Sequence, residues 1–226
     1  MNIALNEDCM EVMRRYPEKY FDIAVVDPPY FSGPERRRFY GNEKSRTGVL
    51  RNDYPVIDKW KVPGPEYFAE LERVSKRYIV WGCNYFNYHF APGRIVWDKC
   101  NGSSSFSDCE IAATNFHDSV RLFRFMWNGM QQGKNFCDGH IMQGNKKLNE
   151  VRIHPTQKPT ELYRWIFTKY AKPGHKILDT HLGSGTSRRA AYDFNLDFVG
   201  CELSKEYFER QENAFCEYVS QMRIEM

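Results

Sequence analysis

Two groups of residues in this 226-residue chain have the types and spacing to do chemistry. The first is Asp27-Pro28-Pro29-Tyr30, which ends the apolar run Phe21 to Val26. Two prolines fix φ, so a carboxylate, a peptide carbonyl and an aromatic ring are held in one geometry with little entropy left to lose. The Asp27 carboxylate and the Pro28 carbonyl can accept the two protons of an exocyclic amine, while Tyr30 can stack on the ring that bears it. Taken alone, the tetrapeptide also fits a plain strand-terminating turn.

The second group runs from Lys176 to Thr186, KILDTHLGSGT. It sets Asp179 at the end of a buried strand and Gly183-Ser184-Gly185 before a helix, whose first N–H groups are unpaired and open to a ligand. Twenty-three residues after Asp179, the next strand ends in Glu202, where a carboxylate can accept both hydroxyl protons of a ribose. Together they describe a site for an adenosine-containing cofactor without saying which one. The glycine turn by itself equally fits a tight strand–helix connection.

The elements that must position these groups alternate. A short helix is predicted over Glu7 to Tyr16, a buried strand over Phe21 to Val26, and a helix from Pro65 in which Tyr67, Phe68, Leu71 and Val74 recur at helical spacing. RYIVWG and RIVW read as the next strands. CEIAAT and VRLFRFMW, joined by a short link, read as an antiparallel pair. Further on come a helix over Thr160 to Tyr170, the strand KILDT, a helix from Ser187, the strand DFVGCE and an amphipathic helix capped by Ser204. Strands alternating with helices imply an α/β fold on a mostly parallel central sheet with an antiparallel edge. One domain over residues 1–226 is expected, with insertions at about 31–63 and 128–152.

Composition narrows the class. Hydrophobic residues at 42% and charged residues at 27% argue against disorder, and no apolar stretch approaches the ~20 residues of a membrane span. The N-terminus lacks the order of a signal peptide, so a cytoplasmic location and no membrane partner are expected. Seven cysteines without a C-x-x-C pair suggest neither disulfides nor a metal site. Between Phe31 and Asn52, six cations (Arg36, Arg37, Arg38, Lys44, Arg46 and Arg51) stand against two glutamates. Such an excess suits phosphate contacts with DNA, or else a solvated loop.

Three ordered motifs carry a family resemblance: Asp27 to Tyr30, then His154-Pro155-Thr156-Gln157-Lys158-Pro159, then Asp179 to Thr186. In that order they resemble the beta class of DNA amino-methyltransferases. The segments VWGCNYF and VWDKCNGSSSFSDCEIA are similar to small phage and bacterial adenine-specific members. The resemblance implies a Rossmann-like, S-adenosylmethionine-dependent fold, circularly permuted so that the catalytic motif precedes the cofactor motif. It further implies that Asp27, Pro28, Pro29 and Tyr30 act on a flipped adenine in DNA. Asp8 would lie near the cofactor's adenine, Thr156 and Lys158 near its methionine part, Asp179 at its amino group, and Glu202 at its ribose. Gly183, Ser184, Gly185 and Thr186 would line the same site. Where the family usually has Pro-Phe after the motif aspartate, this chain has Thr180-His181, so either His181 supplies the ring contact or cofactor affinity is weakened.

The reaction implied is direct in-line transfer, and no Pro-Cys dipeptide of the kind used for cytosine carbon-5 methylation occurs. The alternatives are a cytosine-N4 methyltransferase, whose members more often carry Ser in place of Asp27, an amine methyltransferase acting on RNA or protein glutamine, and a non-catalytic nucleic-acid-binding relative. The last would be expected to have lost Asp27 or Tyr30. The short second insertion leaves relaxed target specificity or a homodimer as the two ways to complete recognition.

Overall fold

The computed structural model describes residues 1–30, 54, 61–102, 107–128 and 131–224. The cations expected to contact DNA, Arg36, Arg37, Arg38, Lys44, Arg46 and Arg51, lie outside the described residues.

The strands are β1 (Asn2–Leu5), β2 (Phe21–Val26), β3 (Ser75–Trp81), β4 (Gly93–Asp98), β5 (Cys109–Thr114), β6 (Val120–Arg124), β7 (Trp127–Asn128), β8 (Gln131–Gln132), β9 (Lys176–Asp179) and β10 (Asp197–Cys201). The helices are α1 (Cys9–Arg14), α2 (Pro65–Val74), α3 (Thr160–Tyr170), α4 (Thr186–Asp193) and α5 (Lys205–Ile224). Eight strands form one sheet in the order β1-β10-β9-β2-β3-β5-β4-β6, and β7 and β8 form a separate short ladder. The pairs β1/β10, β10/β9, β9/β2, β2/β3 and β4/β6 are parallel. Within the eight-stranded sheet only β5 runs against its neighbours, β3 and β4, while β7 and β8 pair antiparallel in their own ladder.

Period-two alternation sends β3 to both faces: Ile79 and Trp81 pack with Leu162, Ile166 and Ala190 of α3 and α4, while Tyr78 and Val80 pack with Val12, Phe68 and Leu71 of α1 and α2. A sheet covered on both sides needs such continuous apolar strands, and β2 is one. Pro65 starts α2 at its first position, and Tyr67, Phe68, Leu71 and Val74 are the residues it buries. Each fully buried apolar side chain contributes about 1.5–3 kcal/mol.

The chain moves from β2 outward to β3 in one direction and from β9 outward to β10 in the other. Adjacent β9 and β2 therefore straddle the point where strand order reverses, and the crevice at their carboxyl ends is where such sheets bind ligands.

The α/β architecture and the sheet follow the sequence expectation, with three differences. CEIAAT and VRLFRFMW do not pair: β5 lies between β3 and β4, and β6 pairs in parallel with the far side of β4. The link between them crosses the end of β4, where Gly93 leaves room, since a Cβ there would lie 2.0 Å from the His117 carbonyl oxygen. The strand in VRLFRFMW also stops at Arg124, where Phe125 N–H donates to Asp98 O and Met126 N–H to Gly139 O. Second, β1 forms a parallel pair with β10 that the sequence reading left out. Third, α1 is shorter than expected because the Asp8 side chain caps it and Glu7 turns to Arg15. Among the described residues no helix is long and apolar enough to cross a membrane, and no cluster of three His, Cys, Asp or Glu is placed to hold a metal. All seven cysteines are free thiols.

Candidate active site

A cavity of about 800 Å³ opens at the carboxyl ends of β10, β9 and β2. Its wall brings together most of the residues expected from sequence: Asp27, Pro28, Pro29 and Tyr30 with Lys158 beside Asp27, Glu202 with Gly183 beside it, and Asp8, His181, Ser184, Thr186 and Thr156. Asp179 and Gly185 are not on the wall.

The Glu202 carboxylate is anchored by two backbone donors, Gly183 N–H to Oε2 and Ser204 N–H to Oε1, both at 2.9 Å. Burial raises its pKa while these amides pull it back. With the Leu203 amide acting on it as well, the carboxylate still has acceptor capacity for a further donor. Gly183 has φ +51 and Gly185 φ +71, the left-handed conformation that a side chain resists. A Cβ on Gly185 would also lie 3.0 Å from Gln211 Oε1 of α5.

Asp179 turns inward instead of facing the cavity. Its oxygens accept from Ser187 Oγ at 2.5 Å and from His181 N–H at 3.1 Å, so it ties the start of α4 to the turn. Burial lifts it to about 7 against those two hydrogen bonds. His181, on the wall, is lowered by burial to about 4 and is an uncharged ring near neutral pH. Its Nδ1 lies 2.9 Å from Thr180 Oγ1, which meets Tyr67 OH at 2.5 Å, and its ring meets that of Tyr67 edge-on at 5.5 Å. The Thr180-His181 departure thus supplies an aromatic wall that the Tyr67 ring steadies. Asp8 accepts from Met10 N–H at 2.8 Å as the cap of α1.

The surroundings of Asp27 are organised by charge. Lys158 Nζ lies 2.5 Å from Asp27 Oδ2 and 3.0 Å from Glu110 Oε2, and Lys99 Nζ pairs with Glu110 Oε1. Lys158 is almost wholly buried, which lowers its pKa, but Asp27 and Glu110 more than offset this and hold it well above the usual lysine range. Burial works against ionised Glu110 too, yet the two ammonium groups hold it at about 2. For Asp27, burial raises the pKa, Lys158 opposes, and Glu110 adds to the rise. Its second oxygen, Oδ1, is buried and has no hydrogen-bond partner among the described residues.

Tyr30 stacks on Tyr85 at 4.8 Å and 12°. It reaches that place because Gly82 (φ +70) has no side chain; a Cβ there would lie 2.3 Å from Tyr30 Cδ1.

The motif from His154 to Pro159 is fixed by Gln157. Its Oε1 accepts Ile153 N–H at 2.9 Å, its Nε2 donates to Glu150 Oε1 at 2.9 Å, and its carbonyl accepts from Trp127 Nε1 at 2.8 Å. Lys158, expected at the cofactor, has its ammonium on the Asp27 side. Sequence reasoning missed Glu110, Lys99, Tyr85 and the Gln157 anchor. The available signal was the β4/β5 hairpin, whose register pairs Trp97 with Glu110 and brings Lys99 alongside.

Comparisons with known proteins bear on the family and the fold. A family model described as DNA methylase matches residues 126–213. The Type II methyltransferase M.HinfI of Haemophilus influenzae is 22% identical over 247 residues, an alignment spanning 94% of this chain and 67% of that protein. The crystal structure of an M1.HpyAVI–SAM complex superposes with a TM-score of 0.55 at 17% identity, covering 95% of this chain and 100% of that one. PvuII DNA methyltransferase, described as cytosine-N4-specific, gives 0.56 at 13% identity, covering 94% and 86%. The structural likenesses establish a common fold.

Proposed function

We propose that this chain is a DNA amino-methyltransferase, which transfers the methyl group of S-adenosylmethionine to an exocyclic base amine in DNA, the N6 amine of adenine, after the base has left the duplex stack. The observation that carries the proposal is the Asp27 carboxylate: Oδ2 is held by Lys158, and Oδ1 is buried without a partner among the described residues, in a turn on the cavity wall. A buried acceptor left unmade costs about 1–3 kcal/mol, so it is a place kept for a donor. An amine N–H is such a donor, and the Pro28 carbonyl in the same rigid turn offers the second acceptor.

The cofactor's residues fit the cavity. Glu202, steadied by Gly183 and Ser204, suits a vicinal diol, and the uncharged His181 ring suits a neighbouring apolar surface. When bound, the cofactor supplies a methyl group on a sulfonium, an electrophile without need of a metal. The chain's part is to orient the amine. Accepting both N–H hydrogens at Asp27 and Pro28 would draw electron density onto the amine nitrogen, otherwise delocalised into the ring, and so prepare it to take up the methyl group that the cofactor would supply, the C–S bond pair staying with sulfur. One amine proton then passes to Asp27 Oδ1, whose raised proton affinity suits that brief protonation.

Adenine is favoured because Asp27 stands where cytosine-N4 enzymes more often have Ser, and because the segments around Trp81 and Trp97 resemble adenine-specific members. The test is Asp27→Ala, with methyl transfer to DNA and calorimetric S-adenosylmethionine binding measured side by side. Loss of transfer with cofactor affinity kept is expected; wild-type turnover in the variant removes Asp27 from the reaction.

A further inference from the structure

We infer that Glu110 and Lys99 are positioning residues for Asp27, extending its pair with Lys158 into a buried row of four alternating charges that keeps one Asp27 oxygen open for the target amine. The inference rests on the proposed role of Asp27 and deepens it.

The row crosses four elements. Asp27 follows β2, Lys158 precedes α3, Glu110 sits in β5 and Lys99 follows β4. The side chains of Asp27, Glu110 and Lys99 are 16%, 18% and 16% exposed and that of Lys158 is 2% exposed, so solvent screens none of the contacts well. A buried ammonium with one carboxylate partner tends to reach both of its oxygens. Here a second carboxylate, Glu110, draws the ammonium by charge, its Oε2 standing 3.0 Å from Nζ without a hydrogen bond among the described residues, and the ammonium meets Asp27 only through Oδ2. Lys99 in turn neutralises Glu110 from the far side, its ammonium 5.0 Å above the Trp97 ring. Isolated buried pairs rarely stabilise a fold better than apolar residues of the same size, so stability alone gives no reason for a row of four.

The alternation also sets the field at Asp27. The groups that act on it are Lys158 and Tyr163 from α3 and its approach, Glu110 from β5, Lys99 beyond β4, Asp179 from β9, and Tyr30 in its own turn. With Lys158, Glu110 and Lys99 all charged, Asp27 faces one net positive charge. Glu110→Gln leaves it facing two and should lower its proton affinity. Lys99→Met leaves it facing none and should raise it. The double variant restores one.

The experiment follows Asp27 by carboxyl-¹³C NMR titration, assigned with Asp27→Asn, beside the pH profile of methyl transfer under single-turnover conditions. Glu110→Gln should move both the titration and the acid limb down by about one pH unit, Lys99→Met should move them up by a similar amount, and the double variant should lie near wild type. Singles that titrate with wild type, or shift in the same direction, overturn the inference and leave the row as packing. Should Lys99→Met not fold, Glu110→Gln decides by sign, since an absent or upward shift overturns it. Opposite NMR shifts together with a wild-type protein that transfers no methyl would remove the functional proposal and leave the charge row standing.

Discussion

Replacing Gly82 by alanine should separate backbone strain from damage to the catalytic corner. The new Cβ would lie 2.3 Å from Tyr30 Cδ1 and 2.7 Å from Cγ, where ordinary contact begins at 3.4 Å, so the ring must retreat by about 1 Å. Alanine at φ +70 adds left-handed strain of about 1–2 kcal/mol, and a broken Tyr30–Tyr85 stack adds about 0.5–1.5 kcal/mol. A loss near 1.5–3.5 kcal/mol is expected in urea melts. Gly174 is the control: its φ is +80 and nothing lies within 4 Å of its ideal Cβ, so Gly174→Ala carries the strain without the clash. A displacement of this size beside the reacting group should lower single-turnover methyl transfer on the order of 100-fold in Gly82→Ala. Gly174→Ala should keep full transfer, and both variants should bind S-adenosylmethionine as wild type does. Equal destabilisation of the two variants with transfer intact in both would refute the contact between Gly82 and a working Tyr30.

In the cofactor part of the cavity, Glu202→Ala should weaken S-adenosylmethionine binding by about 1.5–3 kcal/mol in calorimetry, the worth of a hydrogen bond to a charged group. Asp179→Asn should cost less, because Asp179 faces Ser187 and the His181 amide, not the cavity; a larger loss there than at Glu202 would contradict the site as described. For pH, His181 is lowered to about 4 in the fold against about 6.5 when unfolded, so its contribution is present above that upper value and lost as pH falls toward the lower one. His181→Asn lacks this loss, and its stability relative to wild type should rise by about 1.4 kcal/mol for each pH unit of acidification between 6 and ~4.5. Urea melts giving a constant difference across that range would show that His181 is not held neutral by burial.

Much of the fold was legible because local signals agreed with the tertiary structure. Pro65 with four apolar residues at helical spacing defines α2, and Pro159 before a helical stripe gives α3 over Thr160–Tyr170. Asn2–Leu5 was missed because a four-residue strand, mostly half-buried beside β10, carries no run or alternation strong enough to show. The pairing of β5 with β6 was misread because nearness in sequence was taken for nearness in the sheet, whereas β3 had already claimed one side of β5 and β4 the other. In the site, motif order located the wall but not the partners. Nothing local to Lys158 says that its ammonium will meet Asp27, far earlier in the chain, and Glu110 in a strand reads as an outward-facing charge until the Lys158 contact is seen.

The central claim, that Asp27 and its turn present a base amine to the methyl of S-adenosylmethionine, is tested most directly by the identity of the product. Purified protein is incubated with DNA and methyl-labelled S-adenosylmethionine, the DNA is digested to nucleosides, and these are separated and weighed by mass spectrometry. Label in N6-methyladenosine's deoxy form, absent with Asp27→Ala, is the expected result. Label in N4-methylcytosine would keep the chemistry and overturn the adenine assignment, and label on a base carbon, or none on DNA from active wild-type protein, would contradict the claim itself.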